Sequence, residues 1–292
     1  MKILLAVDGS DDARAAGAWV PHLPVAPERD VMVITVVDPP LVVGIPDTTI
    51  DVRSALVADA RRLADGTAAA LLTGRSATGR VVEGDPREEI VATAKNWGAD
   101  LVVLGARGLG VVKEFLLGSV SLDVARHAPS PVLVCHGTAR EMRTVTVAMD
   151  GSEHARRALA WLVALPGAVR LDVRLVGVVE PRHYPSTAPG MLGEALRGAV
   201  AAMNAERHAE VFKELNAAVA LAGGRVKTVE SVVLSGAPAE KIVRDAKEHA
   251  SDLIVVGARG VGAVSRLLLG SVSESVLRHA GCPVLVIPPV RR

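Results

Sequence analysis

Ala99–Cys135 reads "ADLVVLGARGLGVVKEFLLGSVSLDVARHAPSPVLVC", and Ser251–Ile287 reads "SDLIVVGARGVGAVSRLLLGSVSESVLRHAGCPVLVI". Between Gly105 and Val134, 20 of 30 positions are identical to those 152 residues later. Each copy has an unbroken apolar run, a glycine-rich loop, a Gly-Ser that can open a helix, a closing "RHA" and a second apolar run. Apolar runs without alternation are strands buried on both faces, as in parallel sheets. A helix between two such strands makes a βαβ unit, so the loop after the first strand lies at the carboxyl edge of a sheet, where open α/β folds bind ligands.

Working outward, the rest of the chain is also duplicated. "ILLAVDGSDDARAA" from Ile3 resembles "VTVAMDGSEHARRA" from Val145, and "VITVVDP" resembles "LVGVVEP", pairing Asp38 with Glu180. The offset there is 142 and later 152, which places about ten extra residues in the second half near "PRHYPSTAPGMLGEALRGAV". The domains are therefore 1–139 and 142–292, joined by the short polar "CHGTAREMRT", so that the halves pack on each other. In the first half the patterns predict strands at Lys2–Asp8, Val31–Val37, near Arg80–Val82, in "ADLVVLG" and in "SPVLVC". They predict helices over about Asp11–Leu23 (N-cap Ser10), 49–72, Pro86–Trp97 (N-cap Asp85) and Ser119–His127. The fold class is α/β, a doubly wound parallel sheet with helices on both faces.

Half the residues are hydrophobic and only 2% are aromatic, so the core is built from Val, Leu, Ile and Ala. Lys plus Arg (33) balances Asp plus Glu (32), and a net charge of +1 gives no general attraction for nucleic acid or anionic membrane. No stretch has the length and apolarity of a membrane span, and "MKILLAVDGS" reads as a first strand, not a signal peptide; the expected location is the cytoplasm. Cys135 and Cys282 lack CxxC spacing and are expected reduced and buried, with no metal site.

The loop is the candidate site. Gly105 ends a strand, Gly108 and Gly110 let the backbone approach a ligand, and Gly118-Ser119 opens a helix whose N–H groups attract anions. The Ser119 hydroxyl can donate to a phosphate oxygen. Arg107, its match Arg259, and Lys113 are secondary sources of charge; Lys113 is matched by Ser265, with Arg266 one place further on, opposite Glu114. The pattern is neither a Walker A loop nor a Rossmann fingerprint. Asp8 and Asp150, in "DGS" after the first strand of each half, either bond a ribose hydroxyl or adenine edge, or form a turn and helix cap. Val36 and Val178 either pack on an adenine face or are ordinary core. His127 and His279 sit where a helix dipole favours them, and Trp19 and Trp161 read as core.

These residues resemble the universal stress protein family in its tandem, ATP-binding form, similar to mycobacterial and other actinobacterial members. The signature is Gly-x2-Gly-x9-Gly-(Ser/Thr), met by Gly105, Gly108, Gly118 and Ser119 and by Gly257, Gly260, Gly270 and Ser271. The resemblance spans essentially the whole chain. It implies two tandem open, twisted, Rossmann-like five-stranded sheets of order 3-2-1-4-5, with the fifth strands making an internal pseudo-dimer, and a further homodimer. It implies one ATP per half, held by Ala6, Val7 and Asp8 and by Ala148, Met149 and Asp150. The adenine would face Val36 and Val178, and Leu104 and Val256 would also face the nucleotide. The phosphates would lie on Gly105, Gly108, Gly118, Ser119 and Val120, and on Gly257, Gly260, Gly270, Ser271 and Val272.

Three readings of function follow: a nucleotide-responsive stress regulator with little or no catalysis and an unidentified protein partner, a slow ATPase or phosphotransferase, or a scaffold with relic sites. Hydrolysis needs groups that position water and stabilise γ-phosphate charge. No acidic residue or Gln repeats inside the loop, since Glu114 is matched by Arg266, and this favours the regulator. Any Mg²⁺ would be recruited mainly by the phosphates, because the loop offers serine and no dedicated carboxylate.

Overall fold

The computed structural model describes residues 1–26, 28–38, 48–71, 76–108, 117–182, 190–260 and 269–289. The first half contains strands β1 (Lys2–Ala6), β2 (Asp30–Val37), β3 (Ser76–Glu83), β4 (Leu101–Gly105) and β5 (Val132–Cys135). Its helices are α1 (Asp11–Trp19), α2 (Thr48–Leu71), α3 (Pro86–Trp97) and α4 (Ser119–His127). The second half repeats them as β6 (Thr144–Met149), α5 (Glu153–Val163), β7 (Asp172–Val179), α6 (Gly190–Ala222), β8 (Thr228–Ser235), α7 (Pro238–Glu248), β9 (Leu253–Gly257), α8 (Ser271–His279) and β10 (Val284–Ile287). Helix α6 has 33 residues against 24 in α2, so much of the insertion lengthens a helix.

Within each half the strands are parallel, in the order 3-2-1-4-5. The two five-stranded sheets are not separate: β5 and β10 pair antiparallel, Leu133 opposite Leu285, giving one ten-stranded sheet. Alternation along each strand sorts the core into two layers. Ile3, Leu5 and Leu133 pack beneath α1, α2, α5 and α6. Leu4, Val102 and Val134 pack beneath α3, α4, α7 and α8. Trp19 is buried in the first layer, and Trp161 packs against it while partly exposed.

Local chemistry sets the boundaries. Ser10 and Ser152 cap α1 and α5, accepting from the N–H of Ala13 and Ala155. Asp85 caps α3 ahead of Pro86, and Gly98, at φ +68°, ends it in the left-handed conformation. The ends of α1 and β1 differ from those predicted. α1 stops at Trp19, and Val20–His22 continues as a 3-10 turn around Pro21, whose ring cannot extend an α-helix. β1 stops at Ala6, although the Val7 N–H still donates to the Ile34 carbonyl. No helix among the described residues is long and apolar enough to cross a membrane.

Candidate functional site

In each half the carboxyl ends of the first, second and fourth strands open onto a crevice roofed by the third and fourth helices. All eleven candidates of the first half line it: Ala6, Val7 and Asp8 at the end of β1, Val36 on β2, Leu104 and Gly105 ending β4, Arg107 and Gly108 beyond it, and Gly118, Ser119 and Val120 at the start of α4. The second crevice gathers the eleven partners, namely Ala148, Met149, Asp150, Val178, Val256, Gly257, Arg259, Gly260, Gly270, Ser271 and Val272. The cavities measure about 150 Å³ and about 370 Å³ respectively. Gly110, Lys113, Glu114, Ser265 and Arg266 lie outside the described residues.

Five further pairs line the walls: Ala13 and Ala155, Ile34 and Val176, Pro86 and Pro238, Ile90 and Ile242, Ser121 and Ser273. All five are repeated in the two halves, but their apolar or small character reads as core. The serines have a clear task. Ser121 Oγ donates to the Gly105 carbonyl at 2.7 Å, and Ser273 Oγ does the same to Gly257, tying the fourth helix to the end of the fourth strand.

The signature glycines are required first by the protein's own packing. A Cβ on Gly105 would lie 2.5 Å from the Asp12 main-chain carbon, and one on Gly257 would lie 2.8 Å from that of His154. A Cβ on Gly108 would lie 2.5 Å from Asp8 Oδ2, and one on Gly260 equally close to Asp150 Oδ2. The Gly118 N–H is already committed, donating to the Ala106 carbonyl at 2.8 Å; Gly270 repeats this with Ala258 at 2.7 Å. Neither Gly118 nor Gly270 supplies a side-chain cap. Helix geometry therefore leaves the N–H groups of Ser119, Val120 and Ser121, and of Ser271, Val272 and Ser273, without an intrahelical acceptor.

The aspartates do make the turn weighed for them. Asp8 Oδ1 accepts from the Ser10 N–H at 3.0 Å, and Asp150 Oδ1 from Ser152 at 3.0 Å. That leaves Oδ2 at the Gly108 and Gly260 face of the crevice. Arg107 is held by Asp12, with Nε at 2.9 Å and Nη2 at 3.3 Å from its carboxylate oxygens, and this pairing raises the guanidinium's already high pKa. At the position of Asp12 the second half has His154. Desolvation, with Arg259 and Arg157 nearby, lowers the pKa of that imidazole below its ordinary value, against the opposing pull of Glu153 and Asp150.

His136, just after β5, is also mostly buried. Desolvation pulls its pKa to about 4, with the Asp12 carboxylate opposing, Arg107 reinforcing, and the main chain of Leu277 in the other half also opposing. His127 Nδ1 lies 3.0 Å from the Asp123 carbonyl and His279 Nδ1 2.7 Å from that of Ser275, within their own helices, consistent with an end-of-helix role. Both cysteines are free thiols; burial raises Cys135 well above its ordinary range and pushes Cys282 up to about 11. Among the described residues no cluster of three or more His, Cys, Asp or Glu could hold a metal ion.

Comparison with known proteins agrees with the duplication. The universal stress protein family model matches residues 1–136 and again 141–288. A universal stress protein of Thermus aquaticus is 40% identical over 145 residues, which is 50% of this chain and 98% of that protein. One from Mycobacterium bovis is 35% identical over 202 residues, covering 64% of this chain but only 61% of that protein's length. Among solved structures, a universal stress protein from Archaeoglobus fulgidus superposes with a TM-score of 0.64 at 25% identity, covering 98% of both chains.

Proposed function

The chain belongs to the universal stress protein family, and from that premise we propose that it is an ATP-binding regulator. Residues 1–139 and 142–292 are its two binding units, and each holds one nucleotide in its crevice. The observation that carries this reading is the matched pair of crevices: an apolar wall on one side and an uncapped helix N-terminus on the other, built from sixteen equivalent positions in each half. A purine suits the apolar wall of Val36, Ile90 and Leu104, and its counterpart of Val178, Ile242 and Val256. Phosphates suit the first-turn N–H groups of α4 and α8. The second cavity, at about 370 Å³, is within the usual range for a small-molecule site; the first, at about 150 Å³, would hold less of its ligand. Mg²⁺, where present, would arrive with the phosphates. The family relation supports a role in the stress response, with a cytoplasmic location, a homodimer and a protein partner that reads the nucleotide state as parts of the same proposal.

Extraction of nucleotide from freshly purified protein tests the reading. Up to two ATP per chain are expected. Ser119→Glu and Ser271→Glu should each remove one: a glutamate at the first helical position suits the helix dipole, so the fold persists while its carboxylate competes for the phosphate position. These are better probes than changes at Gly105 or Gly257, where any side chain meets helix backbone. Absence of nucleotide, with no rise in melting temperature on adding ATP, would overturn the proposal. Turnover lost in both glutamate variants would turn the reading towards an ATPase.

A further inference from the structure

We propose that the first half carries a second ligand site, a groove between α1 and α2 that takes a medium-chain carboxylate, with the hydrocarbon chain against Gly17 and the carboxylate on Arg14. The site is independent of the nucleotide-binding reading.

The groove measures about 510 Å³, more than either crevice and within the usual range for a small-molecule site. It shares Val7 and Ala13 with the Gly105 crevice but opens between α1 and α2, in the layer away from α3 and α4. Its walls are apolar, with Leu63 and Leu71 on α2 and Pro21 in the turn after α1. Arg14 and Arg62 are the charged groups among its described lining residues.

The second half shows what belongs in such a groove. Helix α6 matches α2 at an offset of 151, which aligns the buried Ala64 and Leu71 with the buried Leu215 and Ala222. There α5 lies directly against α6, whereas α1 and α2 leave a gap. Leu159, fully buried, stands at the place of Gly17, and Leu221, packed on the core, at the place of Ala70. Ala218 and Ala222, at the places of Thr67 and Leu71, are the smaller residues that accommodate them. A Cβ on Gly17 would meet only the methyls of Leu5 and Thr67, at 3.7 Å and 3.9 Å, so neighbouring elements do not require a glycine there.

The polar end of the occupant has a template too. Arg156 bonds Glu214 across α5 and α6 at 2.8 Å. Arg14 stands at the place of Arg156, but Leu63 stands at the place of Glu214. Arg14 turns back to the Gly9 carbonyl and to Asp11 on its own helix, and Arg62 pairs with Asp59 on its own. Both are exposed one-turn pairs, which contribute little and exchange readily. A carboxylate entering the groove takes the position that Glu214 holds in the second half, and its hydrocarbon chain takes that of Leu159 and Leu221.

Calorimetric titration of the full chain with decanoate and with decanol tests this. One saturable decanoate site per chain is expected. Gly17→Leu gives α1 the side chain of its second-half counterpart and should abolish that site. Its melting temperature should equal or exceed that of wild type, since glycine is a poor helix residue. Should that variant fail to fold, Ala70→Leu, at an exposed position, makes the same test. Arg14→Gln should weaken decanoate about tenfold, the scale of a lost charge-assisted hydrogen bond, and leave decanol within about twofold. Absence of saturable decanoate binding to wild type, or binding unchanged in the folded leucine variant, would overturn the site. Decanoate and decanol responding alike to Arg14→Gln would overturn the placing of the carboxylate.

Discussion

His136 has no imidazole counterpart, since the matching position in the second half is Pro288. It sits where the halves meet, near the Leu277 main chain, with Nε2 buried and without a hydrogen-bond partner among the described residues. Its pKa of about 4 in the fold lies below the ordinary imidazole value of 6.5. The unfolded chain therefore takes up a proton at a higher pH than the native one. Stability from this group is complete above pH 6.5 and is lost as pH falls towards 4. Between pH 7.5 and pH 5 the loss should be about 2 kcal/mol. Urea unfolding of wild type and His136→Gln across that range should show the wild type losing about that much more. Parallel pH profiles would show that the ring is not held neutral. Nothing local in "LVCHGT" marks this residue, because its burial comes from α8, more than a hundred residues away.

At the level of elements, Gly105 shows what the sequence revealed and what it left hidden. Its recurrence at Gly257 identified the loop, in which Gly105 reads as the end of a strand and, by the family resemblance, as a place where phosphate would lie. What requires glycine there is the backbone of α1. An alanine Cβ there would lie 2.5 Å and 2.6 Å from the Asp12 carbon and oxygen, which cannot rotate away. Gly105→Ala should cost about 2–3 kcal/mol in the free protein. Gly118→Ala should cost less, because its nearest contact is 3.2 Å. Thermal melts without nucleotide decide it, and equal losses would show that α1 shifts freely. Strand–helix alternation, the Asp85-Pro86 helix start and the long buried strands were legible because the forces behind them are local and periodic. β3 was harder to read: it spans Ser76–Glu83 where only Arg80–Val82 was predicted, because it is an edge strand with a polar outer pattern. The Asp12–Arg107 pair joins residues 95 apart, and no periodicity announces such a contact.

For the whole molecule, the decisive contact is the pairing of β5 with β10, which merges two repeats into one sheet. Each core layer then runs across the seam: Leu133, Leu285 and Leu162 belong to one cluster, with Trp161 packed against it, and Val134 and Val284 belong to the other. Arg126 on α4 also reaches Glu274 on α8 at 2.7 Å, and the Gly167 N–H donates to the Pro24 carbonyl. A half separated from its partner would expose the central strand and a strip of both layers to water. The halves should therefore unfold together, although a chain of this length often does not. Tryptophan can report on each half, with Trp19 and Trp97 in the first and Trp161 in the second. Variants keeping only Trp161, or only Trp19 and Trp97, should give coincident urea transitions. Leu133→Asp places a charge at a site that is 1% exposed, in the middle of the seam, and should shift both curves by at least about 3 kcal/mol. Transitions separated by about 1 M urea or more, or a Leu133→Asp effect confined to the first-half probe, would mean that the seam joins two independently stable units.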